Sequence, residues 1–145
     1  MSLFALAAAA VAGIAMAVQG ALNSVMGKTT GLLEATVVVH VLGAATATGL
    51  LFLVRLGPGE LGRIGQVPWW ALLGGPVGVV IIYGVVASIP RVGVALATTA
   101  IIVGQVAMAM LIDQFGLFGL KEVPFTWWKV VGLALLAAGA RLMLN

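Results

Sequence analysis

Five apolar stretches dominate the chain, at about residues 3–26, 32–54, 69–88, 93–112 and 127–144, with short polar breaks between them. A helix rises about 1.5 Å per residue, so about 20 residues cross a hydrocarbon core roughly 30 Å thick. Each stretch has about that length. None alternates with the period of two that marks a half-buried strand, and backbone groups in lipid must be paired within their own segment. The pattern therefore predicts an all-α integral membrane fold of five transmembrane helices, forming one domain over residues 1–145. Two breaks are tight, Gly27-Lys28-Thr29-Thr30-Gly31 and Ile89-Pro90-Arg91-Val92, which predicts antiparallel hairpins of helices 1–2 and 3–4. The other two, residues 55–68 and 113–126, are longer and lie on the opposite side. In helix 3, Gly74 and Gly78 form a small-xxx-small face suited to close helix contact, and Pro76 predicts a kink.

Composition sharpens this picture. Of 145 residues, 63% are hydrophobic and 8% charged, and the mean hydropathy is +1.24. A soluble domain carries roughly 25% charged residues, so most of this surface must face lipid. The first stretch lacks a basic leader and exceeds the roughly 7–15 apolar residues of a signal peptide, so it is expected to be a retained helix. The net charge is only +3, and the bases stand singly at the ends of apolar runs. That suits interfacial anchoring and predicts no nucleic-acid partner. The absence of cysteine excludes disulfides and thiolate ligands. No Ser/His/Asp grouping, carboxylate pair, phosphate-binding glycine loop or metal-ligand cluster is spaced for chemistry. An enzyme is not expected, nor a cofactor or bound metal.

With five spans the termini lie on opposite sides. The N-terminal side then holds Arg55, Arg63, Lys121 and Lys129, and the other side Lys28, Arg91 and Arg141. Orientation is set by a clear Lys/Arg excess on one side, and here the two sides differ by one residue. Trp69, Trp70, Trp127 and Trp128 all fall at the N-terminal-side interface. Two readings follow: a chain that inserts both ways and pairs with an inverted copy, which supplies the second aromatic belt, or a single orientation with a lopsided belt.

Several pieces resemble the YdcZ-like family of the drug/metabolite transporter superfamily. They are Gln19-Gly20-Ala21-Leu22-Asn23 with Gly27-Lys28, Trp69-Trp70 with Gly74-Gly75, Pro90-Arg91-Val92-Gly93-Val94-Ala95, and Gly104-Gln105 leading into Asp113-Gln114-Phe115-Gly116-Leu117. The family more often carries His where Gln114 stands, so no role is carried over to that position. The resemblance covers nearly the whole chain. It implies five-helix units that pair in inverted orientation into a ten-helix transporter, a substrate cavity lined mainly by helices 1–4, a peripheral helix 5, and residence in a bacterial cytoplasmic (inner) membrane. Small multidrug exporters of the superfamily use a glutamate in mid-helix 1; this chain has none there, so their proton-coupled mechanism is not carried over.

Polar side chains at membrane depth are costly and mark pathways or helix contacts. At about 1.5 Å per residue, Gln19, His40, Tyr83, Thr98 and Thr99 fall about 5–7 Å from the midplane on one side, and Gln105 about 4 Å on the other. Asn23, Glu34 and Ser88 form a shallower layer. Gln19, Asn23, His40, Tyr83, Thr98 and Gln105 are the candidate substrate-binding residues. Glu34 and His40 are candidates for ion coupling, His40 because histidine titrates near neutrality. Each has a quieter reading. Gln19 and Asn23 share a face with Met16 and Ala12 and could bond a neighbouring helix, at about 0.6 kcal/mol. His40 could be a buried neutral imidazole, Glu34 suits the N-terminal dipole of helix 2, and Asp113 suits a membrane anchor. Six residues separate Glu34 from His40, which puts them on different faces.

The leading expectation is a secondary transporter of a small metabolite or drug-like molecule, working by alternating access as an inverted homodimer. A small dual-topology ion channel and a non-transporting accessory subunit are the alternatives. A C-terminal topology reporter should register on both sides of the membrane in comparable amounts. Adding two lysines to one set of loops should drive it to a single side. A reporter confined to one side in the unmodified chain would rule out dual insertion.

Overall fold

The computed structural model describes residues 2–54 and 59–143; Arg55 and the predicted helix end at residue 144 lie outside the described residues. Every regular element described is helical: α1 (Leu3–Thr30), α2 (Leu32–Phe52), α3 (Gly74–Val92), α4 (Val94–Phe115) and α5 (Trp127–Leu142). Short 3-10 segments, Leu61–Gln66, Trp69–Leu73 and Leu117–Gly119, occupy the two longer connections. Four segments are long and apolar enough to cross a membrane: Leu3–Thr30, Leu32–Phe52, Trp69–Val92 and Val94–Phe115. The fifth helix has 16 residues, about 24 Å against a core of roughly 30 Å, and falls short of that length.

α1, α3 and α4 end later than the apolar pattern predicts, and α2 ends two residues earlier. α1 continues through Lys28, Thr29 and Thr30, and α3 through Pro90 and Arg91. The predicted connections shrink to one glycine each, Gly31 and Gly93. Their backbones, at φ 107°, ψ 159° and φ 83°, ψ 163°, lie in a region open essentially to glycine alone. Local chemistry allows the overrun. Thr30 Oγ1 donates to Met26 O at 3.0 Å, and the Arg91 guanidinium donates to Ala87 O, so the last turns gain side-chain partners. Pro76 is the third residue of α3, where its missing N–H has no helical partner to lose. The chain instead passes from 3-10 to α geometry at Gly74, ahead of the proline.

The described chain forms two compact units, Met1–Arg91 and Val92–Asn145. In the first, α1 and α2 pack as an antiparallel hairpin: Gln19 and Gly43, equally far from Gly31 along the chain, line one hollow. α3 runs parallel to α1. Gln19 meets Gly78, Ile81 and Ile82, and further along Gly27 and Lys28 meet Val86, Ala87 and Pro90. The close approach is made by α1. A methyl group on Gly20 would lie 3.1 Å from both Val85 Cγ1 and Ile89 Cδ1, and one on Gly27 would collide with Val86 Cγ1. On α3, by contrast, a methyl on Gly74 meets nothing within 4 Å and one on Gly78 meets only His40 Nε2. Among the described residues, then, Gly78 of the expected contact face admits only the His40 imidazole and Gly74 admits no neighbour.

In the second unit α4 and α5 pair antiparallel. Thr99 Oγ1 reaches Met143 Sδ at 3.1 Å at one end, and Asp113 and Lys129 share a groove at the other. Among the described residues the buried apolar side chains are Ala35, Val86, Ile89 and Ala97. So few cannot hold a water-soluble fold of this length, and large side chains such as Leu3, Phe4, Val80, Trp127 and Trp128 are more than 70% exposed.

Gly31→Ala should lower stability by about 1–3 kcal/mol, the cost of a forbidden backbone conformation, aggravated by the Glu34 carboxylate that lies over this position. Gly13→Ala, where the added methyl meets nothing within 4 Å, should be neutral or gain up to about 1 kcal/mol from helix propensity. Unfolding titrations in mixed micelles measure both.

Candidate functional site

Three helices of the first unit contribute to an open groove of about 360 Å³, lined by Gln19 from α1, by Val39, His40, Gly43 and Ala44 from α2, and by Gly78, Ile81 and Ile82 from α3. Gln19 and His40 lie within about 4 Å of the midpoints of α1 and α2 along the axis, and Gly78 within about 4 Å of the middle of the Trp69–Val92 span. Glycines shape the space: Gly43 and Gly78 leave it open, and Gly78 lets the imidazole come within 3.3 Å of where a β-carbon would stand.

The imidazole is held by its own helix. His40 Nδ1 lies 2.8 Å from Thr36 O; a carbonyl only accepts, so this bond assigns the proton to Nδ1. In the neutral ring Nε2, on the Gly78 side, is then the acceptor. Thr36 is itself buried and donates to Leu32 O at 2.8 Å, so a ladder of α2 carbonyls fixes both side chains. Gln19 is exposed on the groove wall. One turn along the same face of α1, Asn23 is 4% exposed and its Nδ2 is buried without a hydrogen-bond partner. Ser24 beside it is equally buried.

A second hollow of about 390 Å³ lies at the end of this unit. It is lined by Gly27, Lys28, Leu32, Val86, Ala87, Pro90 and Arg91 and carries two cations and no carboxylate. Asn23 is one helical turn from Gly27 and one from Gln19, between the two hollows on α1.

The structure thus brings Gln19 and His40 together, with Asn23 close by. It does not bring in Tyr83, which is 43% exposed and lines neither hollow. Depth along a helix fixes height but not azimuth, and Tyr83 is turned about 100° from Ile82. Thr98 and Gln105 belong to the second unit, where Thr98 is half-buried and Gln105 exposed. Thr99 donates to Ala95 O at 2.8 Å. Glu34 does not join His40. Its carboxylate folds back over Gly31 at the start of α2, and it lines a shallow apolar hollow with Leu33, Val37 and Val38. The Lys28–Arg91 hollow escaped the sequence reading, because both residues were assigned to tight loops rather than to the last turns of α1 and α3.

Several apolar helices of lipid-spanning length define a polytopic membrane protein. The family model described as "Putative inner membrane exporter, YdcZ" matches residues 4–142, and the chain belongs to this family. It is an integral inner-membrane protein of a transport class. No curated protein and no solved structure matches it.

A buried donor without an acceptor costs about 1–3 kcal/mol. Asn23→Leu, which keeps the branched shape and removes the amide, should therefore raise the unfolding free energy in micelles by about that amount. A loss of stability instead would show that Nδ2 is satisfied in the membrane-embedded protein.

Proposed function

We propose that this protein is a secondary transporter of a small metabolite or drug-like molecule, working by alternating access as an inverted homodimer. The single observation that carries the reading is the exposure of Gln19 and half-exposure of His40 in an open groove at mid-membrane depth. Facing acyl chains, the Gln19 amide and His40 Nε2 would have no hydrogen-bond partner, a state that membrane proteins avoid unless the polar group lines a cavity or meets another protein surface. A water-filled pathway closed by a second copy answers both needs. An inverted copy would repeat the polar layer on the other side of the midplane, as alternating access between inverted repeats requires. The near-balanced basic flanks support insertion of both orientations. In this arrangement α5 crosses the membrane with some local thinning or with a flanking turn, since a mismatch of a few ångströms costs only fractions of a kcal/mol per Å.

The roles follow from the geometry. Gln19 offers both donor and acceptor, and His40 offers Nε2, so the pair would orient a polar group of the substrate while Ile81, Ile82 and Val39 contact its apolar part. His40 is the side chain in the groove that can also take up a proton, and coupling to a proton gradient would run through Nε2. Asn23 would supply a donor between the groove and the Lys28–Arg91 end.

Purified protein in liposomes should show flux of its substrate that saturates and exchanges against unlabelled substrate, identified by screening a labelled panel of small metabolites and drug-like ions. Gln19→Leu and His40→Leu should each reduce that flux by about tenfold or more, the loss of one buried hydrogen bond to substrate being worth about 1.5–3 kcal/mol when a charge is involved. Both variants should still insert and dimerise. Unchanged flux in both would remove the groove from the pathway, and fast, unsaturating ion conduction would replace the carrier with a channel.

A further inference from the structure

We infer that the groove between α4 and α5 is a binding site for a phospholipid with a primary-amine headgroup, its phosphate against Lys129, its ammonium against Asp113, and one acyl chain along the groove. The site is independent of the transport reading, since it lies wholly within the second unit and on other residues.

The groove has a volume of about 490 Å³. Val106, Ala109, Met110 and Asp113 contribute from α4, a stripe at helical spacing that is apolar until its last member. Lys129, Gly132, Leu133 and Leu136 contribute the same spacing from α5, apolar after its first member. The antiparallel pairing puts both charged residues at one end, beside the Trp127–Trp128 interface, with a channel of hydrocarbon character leading away from them. A charged head at the interface and an apolar track toward the bilayer interior match the layout of a phospholipid.

The charges themselves argue for a ligand. Lys129 is in the first turn of α5 and Asp113 in the last turn of α4. Helix dipoles favour anions at the N-terminus and cations at the C-terminus, so both sit at the disfavoured end. The other charges near helix ends obey the rule: Glu34 opens α2, and Lys28, Arg91 and Arg141 close α1, α3 and α5. Nor do the two offset each other. Among the described residues the ion pair is Arg63–Glu60, while Lys129 Nζ is held by Pro124 O at 3.2 Å. Both are half-buried. A phosphate and an ammonium carried on one headgroup would answer both charges at once, which neither a chloride ion nor a metal cation could do.

Gly132 keeps the track open. A methyl group there meets nothing within 4 Å, so Gly132→Leu can fill the groove without displacing a neighbour. The test is native mass spectrometry of the purified full chain titrated with phosphatidylethanolamine, phosphatidylcholine and phosphatidylglycerol of identical acyl chains. Phosphatidylethanolamine should be retained about fivefold or more over the other two, the scale of one charge-assisted hydrogen bond at a half-exposed site. Asp113→Asn should erase that preference, Lys129→Gln should weaken all three, and Gly132→Leu should abolish retention while circular dichroism and monodispersity stay unchanged. Equal retention of the three lipids, or retention unaffected by Gly132→Leu, would overturn the site. So would displacement of the bound lipid by glycerophosphoethanolamine at tenfold excess, because a chainless headgroup that competes on even terms needs no groove.

Discussion

Acyl chains are as apolar as leucine, so no hydrophobic force drives these helices together; their association depends on how closely backbones can approach. That constraint explains why the contacts in the first unit centre on Gly20 and Gly27 of α1. Each admits a branched side chain of α3 where a β-carbon would stand, Val85 and Ile89 at the first and Val86 at the second. Dispersion between such surfaces is weak per atom pair and large in sum. The residues buried at this seam are accordingly Gly20, Ala35, Val86 and Ile89, with Asn23, Ser24 and Thr36 among them. Small and branched residues pack here, and the large ones, Leu, Phe and Trp, face outward where lipid receives them.

Once the helices are held this way, polar side chains become informative, since burial no longer needs them for solubility. Thr36, Thr46 and Thr99 each return their hydroxyl proton to a carbonyl four residues earlier, which satisfies them at little cost. His40 does so with one nitrogen and keeps the other for the groove. Gln19 and Asn23 do not close on their own helix in this manner. The division separates polar groups that the fold absorbs from those it leaves open to a ligand, water or a second chain, and in the first unit Gln19 and His40 line one groove on α1, α2 and α3 with Asn23 one turn away.

Much of this was legible in the residues and some was not. Apolar length alone located the helices, because in lipid nothing but a helix satisfies the backbone. Their ends were misplaced at Lys28–Thr30 and Pro90–Val92, where polar residues and a proline look like loop. A lysine or arginine in the last turn suits the helix dipole, Thr30 and Arg91 bond back onto the helix, and only the glycine that follows stops it. Gln19 and His40 were picked out by depth and do meet. Tyr83, chosen by the same criterion, does not, since depth says nothing about which way round a helix a side chain faces. The glycine contact was sought in Gly74 and Gly78 of α3 and lies instead in Gly20 and Gly27 of α1, a seven-residue spacing that the four-residue motif does not describe. The resemblance read from the order of short pieces along almost the whole chain agrees with the family match over residues 4–142.

Short and long connections handle charge by different physics. At Gly31 and Gly93 the turns are single residues, so the charges beside them, Glu34, Lys28 and Arg91, must serve the helix termini, and each has the sign that the dipole prefers. The connections from α2 to α3 and from α4 to α5 are long enough to carry their own structure, as the Arg63–Glu60 pair and the Val123 N–H bond to Asp113 O show. There the chain is free to place Asp113 and Lys129 against the dipole. Each misplacement costs on the order of 0.3–1 kcal/mol at an exposed site, small enough to be offset by one ligand contact and too large to be without consequence when two lie side by side. Trp127 and Trp128 stand beside Lys129 at the start of α5, and tryptophan is enriched at the level of lipid headgroups. In the first unit, by contrast, the tight turn at Gly31 leaves Lys28, with Arg91 of α3, around an open hollow.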